Sequence, residues 1–234
     1  LGALPLFWIA RDKLKSEKLG LLFSASYLLY PPLERILLHD FHAVALSATF
    51  LLFSYWFMIK KKYILFLLFA VLAGLGKEQV WFIVGLMGLY IALINRKWQT
   101  GLLVAGASFG LFYLLMWKFI PGATTAGQHF ALVYLSDFGD NQNQIIKHIL
   151  TNPFLTAQTI FAPSRLFYYF QIMVPLGLLT LFSPLKLIFA LPELFINSLS
   201  NNQLMRQIDY QYNSTIAPFI FITAVDGYLV LRNL

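Results

Sequence analysis

The sequence contains no cysteine, which excludes disulfide bonds, thiolate nucleophiles and thiolate metal sites. Charged residues are also scarce: they make up 12% of the 234 residues, whereas a typical soluble domain has about 25%. The glycine loop of ATPases, the Gly-x-Ser-x-Gly turn of serine hydrolases, the His-Glu-x-x-His zinc motif and the dinucleotide-binding glycine motif are all missing. ATP hydrolysis and serine hydrolase chemistry therefore have no support in these residues.

Apolar residues are correspondingly abundant. They account for 59% of the sequence, and the mean hydropathy is +0.70. A chain of this size cannot hide so much apolar surface inside itself, so a lipid bilayer is the predicted partner. The net charge of +7 lies largely in short basic clusters between apolar runs, as in cytoplasmic loops of membrane proteins, so nucleic acid is not expected.

Apolar runs of helical length alternate with short polar breaks, which predicts an all-α fold, a polytopic transmembrane helix bundle with short outer-face helices. About eight or nine membrane helices are expected, the first of them partial. The expected helices cover 1–10, 18–31, 41–59, 62–76, 78–95, 98–119, 165–183, 185–200 and 214–231, and Pro192 is expected to kink the eighth. We expect one transmembrane domain over 1–234, truncated at both ends, with an outer loop region at 121–164 that contains a short helix near 142–151.

Lysine and arginine predict the orientation. With residues 11–18 in the cytoplasm, the inner loops hold Arg11, Lys13, Lys15, Lys18, Lys60, Lys61, Lys62, Arg96, Lys97, Lys186 and Arg232. The outer side then holds all four histidines and most acids, namely His39, His42, His129, His148, Glu34, Asp40, Glu78, Asp137, Asp140, Glu193 and Asp209. Groups that could act as acids, bases or metal ligands are therefore predicted on the extracytoplasmic face.

The first outer cluster is PPLERILLHDFH at 31–42. Asp40 beside His42 could act as a base, orient a phosphate-bearing substrate, or bind a divalent ion. Two ligands are too few to define a metal site, so the metal requirement stays open. The alternative is that Asp40 caps the helix that begins near residue 41.

The second outer cluster is Gly76-Lys77-Glu78, between two apolar runs. Charges at membrane depth usually face a cavity or a partner. In the functional interpretation, Lys77 contacts a phosphate and Glu78 pairs with Lys77 or with Arg35. In the structural alternative, the glycine forms a turn and Glu78 is stabilised by the dipole of the helix that follows.

The third outer cluster lies at 200–218. Arg206 is suited to bind phosphate, and Tyr210 and Tyr212 could line a sugar or a lipid head group. An aromatic interface belt would explain the tyrosines without any site. Arg165, at the outer start of a predicted helix, could bind a lipid phosphate or extend to the interface.

Two further acids have lower priority. Asp226 lies within the last predicted helix, near its inner end, and Glu193 follows Pro192. Acids at membrane depth are often functional. Both could equally serve only to reach the interface.

Four segments resemble a prokaryotic family of predicted membrane proteins, domain of unknown function 2079. They are LGALPLFWIAR at 1–11, YLLYPPLERILLHDFHAVAL at 27–46, GLGKEQVWFIVGLMGLY at 74–90 and LPELFINSLSNNQLMRQIDYQYNSTIAPFIFI at 191–222. The chain departs from the family pattern at Gln79, where an acid is expected, and at Gln211, where a histidine is expected.

The family in turn resembles the GT-C glycosyltransferases. This resemblance implies transfer of a sugar from a polyprenyl-phosphate donor to an acceptor at the outer face of a prokaryotic plasma membrane. It implies catalytic roles for Asp40, His42 and Glu78, substrate or phosphate binding by Lys77, Arg206, Tyr210, Tyr212 and Arg165, and a divalent ion held by Asp40 and His42 as an open option. The usual base of these enzymes lies in a first outer loop, which would precede Leu1. The competing interpretations are a transporter or lipid-handling protein without chemistry, and a structural subunit.

Overall fold

A computed structural model describes residues 1–38, 42–124 and 129–234. Every regular element within these ranges is helical, which confirms the all-α prediction. The α-helices are α1 Ala3–Leu14, α2 Glu17–Leu28, α3 Pro31–Leu38, α4 Val44–Ile59, α5 Tyr63–Gly74, α6 Val80–Leu93, α7 Trp98–Leu114, α8 Ile120–Ala123, α9 Gln142–Thr151, α10 Pro153–Ile160, α11 Pro163–Met173, α12 Leu191–Leu199 and α13 Ala217–Arg232. Short 3-10 helices cover Phe130–Phe138, Val174–Leu176, Leu179–Phe182, Pro184–Phe189, Gln203–Arg206 and Gln211–Asn213.

The longest helix lies where the sequence predicts one over 98–119. Helix α7 continues through a π-helical turn at Leu115–Phe119 into α8, giving an uninterrupted helix over Trp98–Ala123. Its 26 residues are long and apolar enough to cross a bilayer, which needs about 20. Within the described ranges it is the one helix that meets this criterion, and α4, α5 and α6 are shorter apolar helices.

The outward faces of these helices are as apolar as their inward faces. Ile64 and Leu68 on α5 and Leu103 on α7 are exposed, although the same helices bury Phe66 and Val104. A helix at the surface of a water-soluble protein carries polar residues on its outer side. Contiguous exposed apolar surface of this kind suits contact with lipid.

Helix α13 forms the centre of the bundle. All of residues 217–227 are buried, because the 3-10 helices Leu179–Phe182 and Pro184–Phe189 pack around this helix together with α1, α4 and α2. The rings of Tyr27 and Tyr30 meet the ring of Phe221 edge-on at centroid distances of 5.1 Å. On the other side of the bundle, Gly88 and Gly101 allow the α6 and α7 backbones to approach closely, as small residues do between membrane helices.

A buried ion-pair cluster, here called the inner cluster, joins α1, α13 and the Pro184–Phe189 turn. Asp226 of α13 is 8% exposed, and its two carboxylate oxygens pair with Lys13 and Lys186, one each. Next to it, Arg232 donates to the Leu14 carbonyl at 2.9 Å. The sequence assigns all of these basic residues to the cytoplasmic side, and the structure brings them to one end of the molecule.

The prediction of two long helices in the second half of the chain is wrong. The segments 165–183 and 185–200 are divided into α11, three 3-10 turns and α12. Pro175 and Pro184 cannot continue a helical hydrogen-bond ladder, and Gly177 has a left-handed φ of 61°. The apolar composition of the segment is right, but its backbone follows the proline and glycine positions.

Local capping explains the helices around these turns. The expected kink at Pro192 is wrong, because α12 begins at Leu191 and Pro192 lies in its first turn, where a missing N–H has no effect on the helix. The short helix expected near 142–151 is confirmed as α9. Asn141 caps it by accepting a hydrogen bond from the Gln144 amide at 3.1 Å.

Candidate functional site

A cavity of about 460 Å³, here called the polar cavity, lies where the three loops that the sequence assigns to the outer side meet. Its wall includes one or more residues from each of them: His42, Gly76, Lys77, Tyr134, Gln211 and Tyr212. Tyr134 comes from the Phe130–Phe138 turn of the 121–164 region. The loops that sequence patterns single out separately are therefore neighbours in space.

The Gly76 turn fixes the position of Lys77. Gly76 follows α5 and packs against the start of α4, so that a Cβ atom at this position would collide with Ser47 Oγ and with the Ala43 carbonyl oxygen. Ser47 Oγ donates to the Ala73 carbonyl at 2.8 Å, which holds the end of α5 against α4. Only glycine fits this contact, and the next residue is directed into the polar cavity.

Lys77 has two partners at the cavity wall. Its Nζ lies 3.5 Å from Oε1 of Glu193, a residue of the first turn of α12 that is 1% exposed. Its Nζ also lies 5.5 Å from the centroid of the Tyr212 ring, within range of a cation–π interaction. A single cation thus connects α12 to the third outer loop while remaining part of the cavity lining.

Glu78 pairs with His129, not with Lys77 or Arg35 as the sequence suggested. His129 Nδ1 accepts a hydrogen bond from the Ala131 amide at 3.1 Å, which assigns the ring hydrogen to Nε2. Nε2 lies 3.4 Å from Glu78 Oε1. Burial acts to raise the pKa of Glu78, but His129 and Lys77 outweigh it, so this pKa lies below its ordinary value.

Arg165 and Arg206 both contact the C-terminal end of α12. Arg165 Nε donates to the Ser198 carbonyl at 3.3 Å, and Arg206 donates to the carbonyls of Asn197, at 3.3 Å, and Ser200. These are carbonyls that a helix end leaves without partners. Burial, and then the positive charge of Arg165, lower the pKa of Arg206. Neither arginine belongs to the wall of the polar cavity, so their predicted phosphate binding would occur beside it.

A buried hydrogen-bond chain holds the third loop in place. Asn197 Nδ2 donates to Tyr168 Oη at 3.1 Å and to the Tyr212 carbonyl at 3.2 Å, and Tyr168 Oη donates to Asn213 Oδ1 at 2.8 Å. The chain fixes the backbone of Tyr212, whose side chain lines the cavity. Tyr210, two residues earlier, does not line it.

The first and third loops are also joined directly. Arg35 of α3 pairs with Asp209, and both side chains are about half exposed to solvent. His42 lines the polar cavity from the start of α4. Asp40, the predicted catalytic residue of this loop, lies outside the described residues, as does His39.

A second cavity of about 830 Å³, here called the apolar groove, adjoins the polar cavity. The two share Gln79, Phe112 and Ile196 in their walls. Beyond that boundary the groove is lined almost entirely by apolar side chains, including Leu86, Met173 and Ile188. The pair of cavities therefore offers adjacent apolar and polar space.

Among the described residues, three buried oxygen atoms without donors lie on Gln79, at the boundary, and on α12, which contributes Ile196 to it. Within the part of the chain that the structure describes, Gln79 Oε1, Glu193 Oε2 and Asn197 Oδ1 are buried and have no hydrogen-bond partner. A buried acceptor without a donor costs about 1–3 kcal/mol. In native proteins such a group calls for an explanation, such as a role in a site or the presence of water or an ion.

No group of three or more His, Asp or Glu is placed to hold a metal ion in 1–38, 42–124 and 129–234. His42 contributes one imidazole to the polar cavity. Its expected co-ligand, Asp40, is not among the described residues, so the divalent-ion site stays a prediction.

Sequence analysis did not select two residues of this region as site residues. In the sequence, Glu193 could serve only to reach the interface, and His129 was one of four histidines assigned to the outer side. Both make ion-pair contacts with the Lys77-Glu78 turn. The available signal was the Leu-Pro-Glu start of a helix in a segment that resembles the family.

No curated protein and no solved structure matches the chain. A profile of one family, described as predicted membrane protein (DUF2079), matches residues 1–233. This match covers nearly the whole sequence, including all four segments that carry the resemblance. The chain is therefore a member of this family of predicted membrane proteins, domain of unknown function 2079.

Proposed function

We propose that the chain belongs to a GT-C-like glycosyltransferase that moves a sugar from a polyprenyl-phosphate donor to an acceptor at the outer face of a prokaryotic plasma membrane. In this proposal α4, α5 and α6 lie in the membrane beside the Trp98–Ala123 helix, within a bundle of about eight or nine membrane helices. The apolar outward faces of these helices support that placement.

The observation that carries the proposal is the shared wall between the apolar groove and the polar cavity. A lipid-linked sugar has an isoprenoid chain, a phosphate and a sugar in linear order. The groove has room for part of an apolar chain, Lys77 stands in the wall of the polar cavity beyond it, and Tyr134 and Tyr212 offer rings to a sugar. The order of chemical environments in the protein matches the order of groups in the ligand.

The distribution of ion pairs supports the predicted sidedness. Among the described residues, Lys13, Lys60, Lys186, Asp12 and Asp226 pair only with one another or with Arg11. The remaining pairs all join residues assigned to the outer side. No described ion pair mixes the two groups.

In the proposed reaction, one bond forms, one bond breaks and one proton is transferred. The acceptor hydroxyl oxygen forms a bond to the anomeric carbon, and the bond from that carbon to the phosphate oxygen breaks with its electron pair on the phosphate. Lys77 stabilises this charge. The hydroxyl proton passes to a carboxylate base. Within the sequence, the family resemblance makes Asp40 the candidate for this base.

The decisive experiment compares Lys77→Met with Lys62→Met in full-length protein reconstituted in nanodiscs. These lysines stand at opposite ends of α5. We expect Lys77→Met to weaken binding of a polyprenyl-phosphate sugar by about ten- to a hundredfold, since a hydrogen bond to a charged group contributes about 1.5–3 kcal/mol. Equal affinities of the two variants would refute the phosphate site.

The groove is tested by filling it. Ile188→Trp adds bulk to the groove wall, whereas Leu185→Trp, in the same turn, lies outside it and is 70% exposed. We expect Ile188→Trp to weaken binding of long-chain polyprenyl phosphates while affinity for a short-chain analogue is kept. Parallel losses for both chain lengths would contradict a role for the groove in holding the lipid tail.

A lipid-handling protein without chemistry is the second candidate, because the groove and cavity fit a lipid phosphate whether or not a sugar is transferred. Single-turnover transfer of radiolabelled sugar separates the two. Tight binding of the donor with no transfer to lipid, glycan or protein acceptors would favour this candidate.

A further inference from the structure

Glu193 occupies a position where a lone charge is costly. Its side chain is 2% exposed, and it lies in the first turn of α12, whose dipole favours a negative charge there. The stabilisation from the helix dipole is smaller than the cost of burying an ion. The stability of the charge therefore depends on Lys77, its ion-pair partner.

The contact between Lys77 and Glu193 leaves the lysine partly uncommitted. The distance of 3.5 Å is longer than the roughly 2.7–2.9 Å of a strong charge-assisted hydrogen bond. An ammonium group has three hydrogens to donate. The ring face of Tyr212 offers further stabilisation without accepting a conventional hydrogen bond. Lys77 thus keeps donor capacity on the side that faces the polar cavity.

We infer that Glu193 is a positioning residue that keeps Lys77 charged and directed into the polar cavity, where the ammonium group receives the phosphate of a lipid-linked substrate. The inference rests on the proposed function for the identity of the ligand. Glu193 is too deeply buried to touch the substrate itself. Its effect passes through Lys77. The charge of the neighbouring Glu78 also acts on this ammonium group, but Glu78 Oε1 lies 3.4 Å from His129 Nε2, so Glu193 is the carboxylate in ion-pair contact with Lys77.

The arrangement also explains the unsatisfied oxygen. Glu193 Oε2 has no donor within the described part of the chain, so the carboxylate attracts Lys77 through one oxygen only. A carboxylate bound through both oxygens would hold the ammonium group more firmly and withdraw it from the cavity. The single long contact maintains the charge while leaving the cation free to meet an anion.

The first arm of the test needs no ligand. Reductive methylation modifies only the uncharged amine, so its rate at Lys77, followed by mass spectrometry against pH, reports how readily the ammonium group loses its proton. We expect Glu193→Gln to shift this profile to lower pH and to raise the Lys77 rate at neutral pH severalfold. Lys61 and Lys62, which are exposed, serve as internal references in the same sample. An unchanged Lys77 profile would overturn the inference.

The second arm measures binding of a polyprenyl phosphate as pH rises. Glu193→Gln should lose affinity at a lower pH than the wild type. Adding Lys77→Arg should restore affinity across the range, because arginine stays charged without a carboxylate partner. A merely structural role for Glu193 predicts no such rescue. If the wild type binds no polyprenyl phosphate while the methylation profile shifts as expected, the proposed function fails and the positioning role stands.

If the Glu193→Gln protein does not purify as a single species, a second variant tests the same inference. Glu193→Asp keeps the charge but withdraws it by about 1.5 Å, one carbon–carbon bond. The Lys77 profile should then move in the same direction by a smaller amount. No movement in this variant would count against the inference just as it would in Glu193→Gln.

Discussion

The two ends of the molecule use ion pairs in opposite ways. In the inner cluster, Asp226 binds a lysine through each carboxylate oxygen, and none of its members lines the polar cavity or the apolar groove. At the end that holds the polar cavity, Glu193 contacts one lysine through one oxygen, and that lysine is part of the cavity wall. A carboxylate with both oxygens engaged holds helices together, whereas one with an oxygen left over can support a binding group.

The largest effect should come from breaking the inner cluster. Asp226→Asn leaves Lys13 and Lys186 without their counter-charge, and removing one partner of a buried ion pair costs about 3–5 kcal/mol. We expect a loss of this order in the free energy of unfolding measured in detergent. Glu193→Gln should lose less, because Lys77 retains access to the polar cavity. A loss under about 1 kcal/mol for Asp226→Asn would remove the contrast between the two ends.

The next effect concerns the packing beside that cluster. A Cβ atom on Gly227 would collide with the Leu179 carbonyl oxygen, a backbone atom that cannot move alone. Gly227→Ala should therefore destabilise the protein by about 1–3 kcal/mol, the usual range for overpacking. Gly106→Ala is the matched control, since a Cβ on Gly106 of α7 meets nothing within 4 Å. Comparable thermal stabilities of the two variants would contradict this close approach.

A smaller effect should appear in acid at the outer end. Because the pKa of Glu78 is lowered in the folded protein, its stabilising contribution is complete above its unfolded pKa of about 4.3 and is lost as the pH falls through the folded value. The unfolding free energy should decrease below about pH 4.3, and Glu78→Gln should flatten this decrease. Superimposable profiles of wild type and variant would show that the Glu78–His129 contact adds no stability.

The smallest effect is expected for Arg35 and Asp209, whose side chains are 53% and 44% exposed. A double-mutant cycle with Arg35→Gln and Asp209→Asn should give a coupling of about 0.2–1 kcal/mol. The coupling should shrink at high salt, because the screening length falls from about 10 Å at 0.1 M to about 3 Å at 1 M. A larger, salt-insensitive value would mean that this pair fixes the loops as the inner cluster fixes the helices.

Sequence patterns predicted the first half of the fold well. Apolar runs bounded by lysines locate α4, α5, α6 and the Trp98–Ala123 helix, because in these segments each apolar run begins and ends close to where the helix does. The second half was predicted less well. There the composition stays apolar while Pro175, Gly177 and Pro184 break the backbone, so a pattern based on hydrophobicity merges short turns into long helices.

For the candidate site, sequence patterns selected the loops but not the ion-pair partners of the residues in them. The pattern of Lys77 at a hairpin tip between apolar runs was sufficient to select it. Its pairing with Glu193, and that of Glu78 with His129, depend on how α12 and the Phe130–Phe138 turn are folded back, which no local pattern encodes. Arg206 was selected for its charge, and its contacts with the carbonyls of α12 follow from the same long-range packing.

The π-helical turn at Leu115–Phe119 sets the rotational phase of the last helical turn, Ile120–Ala123, relative to the part of the helix that precedes it. A π-turn accommodates one more residue than an α-helical turn, and each residue of an α-helix rotates the chain by about 100°. Phe112 and Met116 line the polar cavity from just before and within this turn. Deleting one residue from the turn would regularise the hydrogen bonding of the long helix, yet it would redirect every side chain beyond the deletion by about a quarter of a revolution. The irregularity thus works as an insertion that sequence change can add or remove in a single step, re-facing Ile120–Ala123 without altering the α-helical part of the helix over Trp98–Leu114.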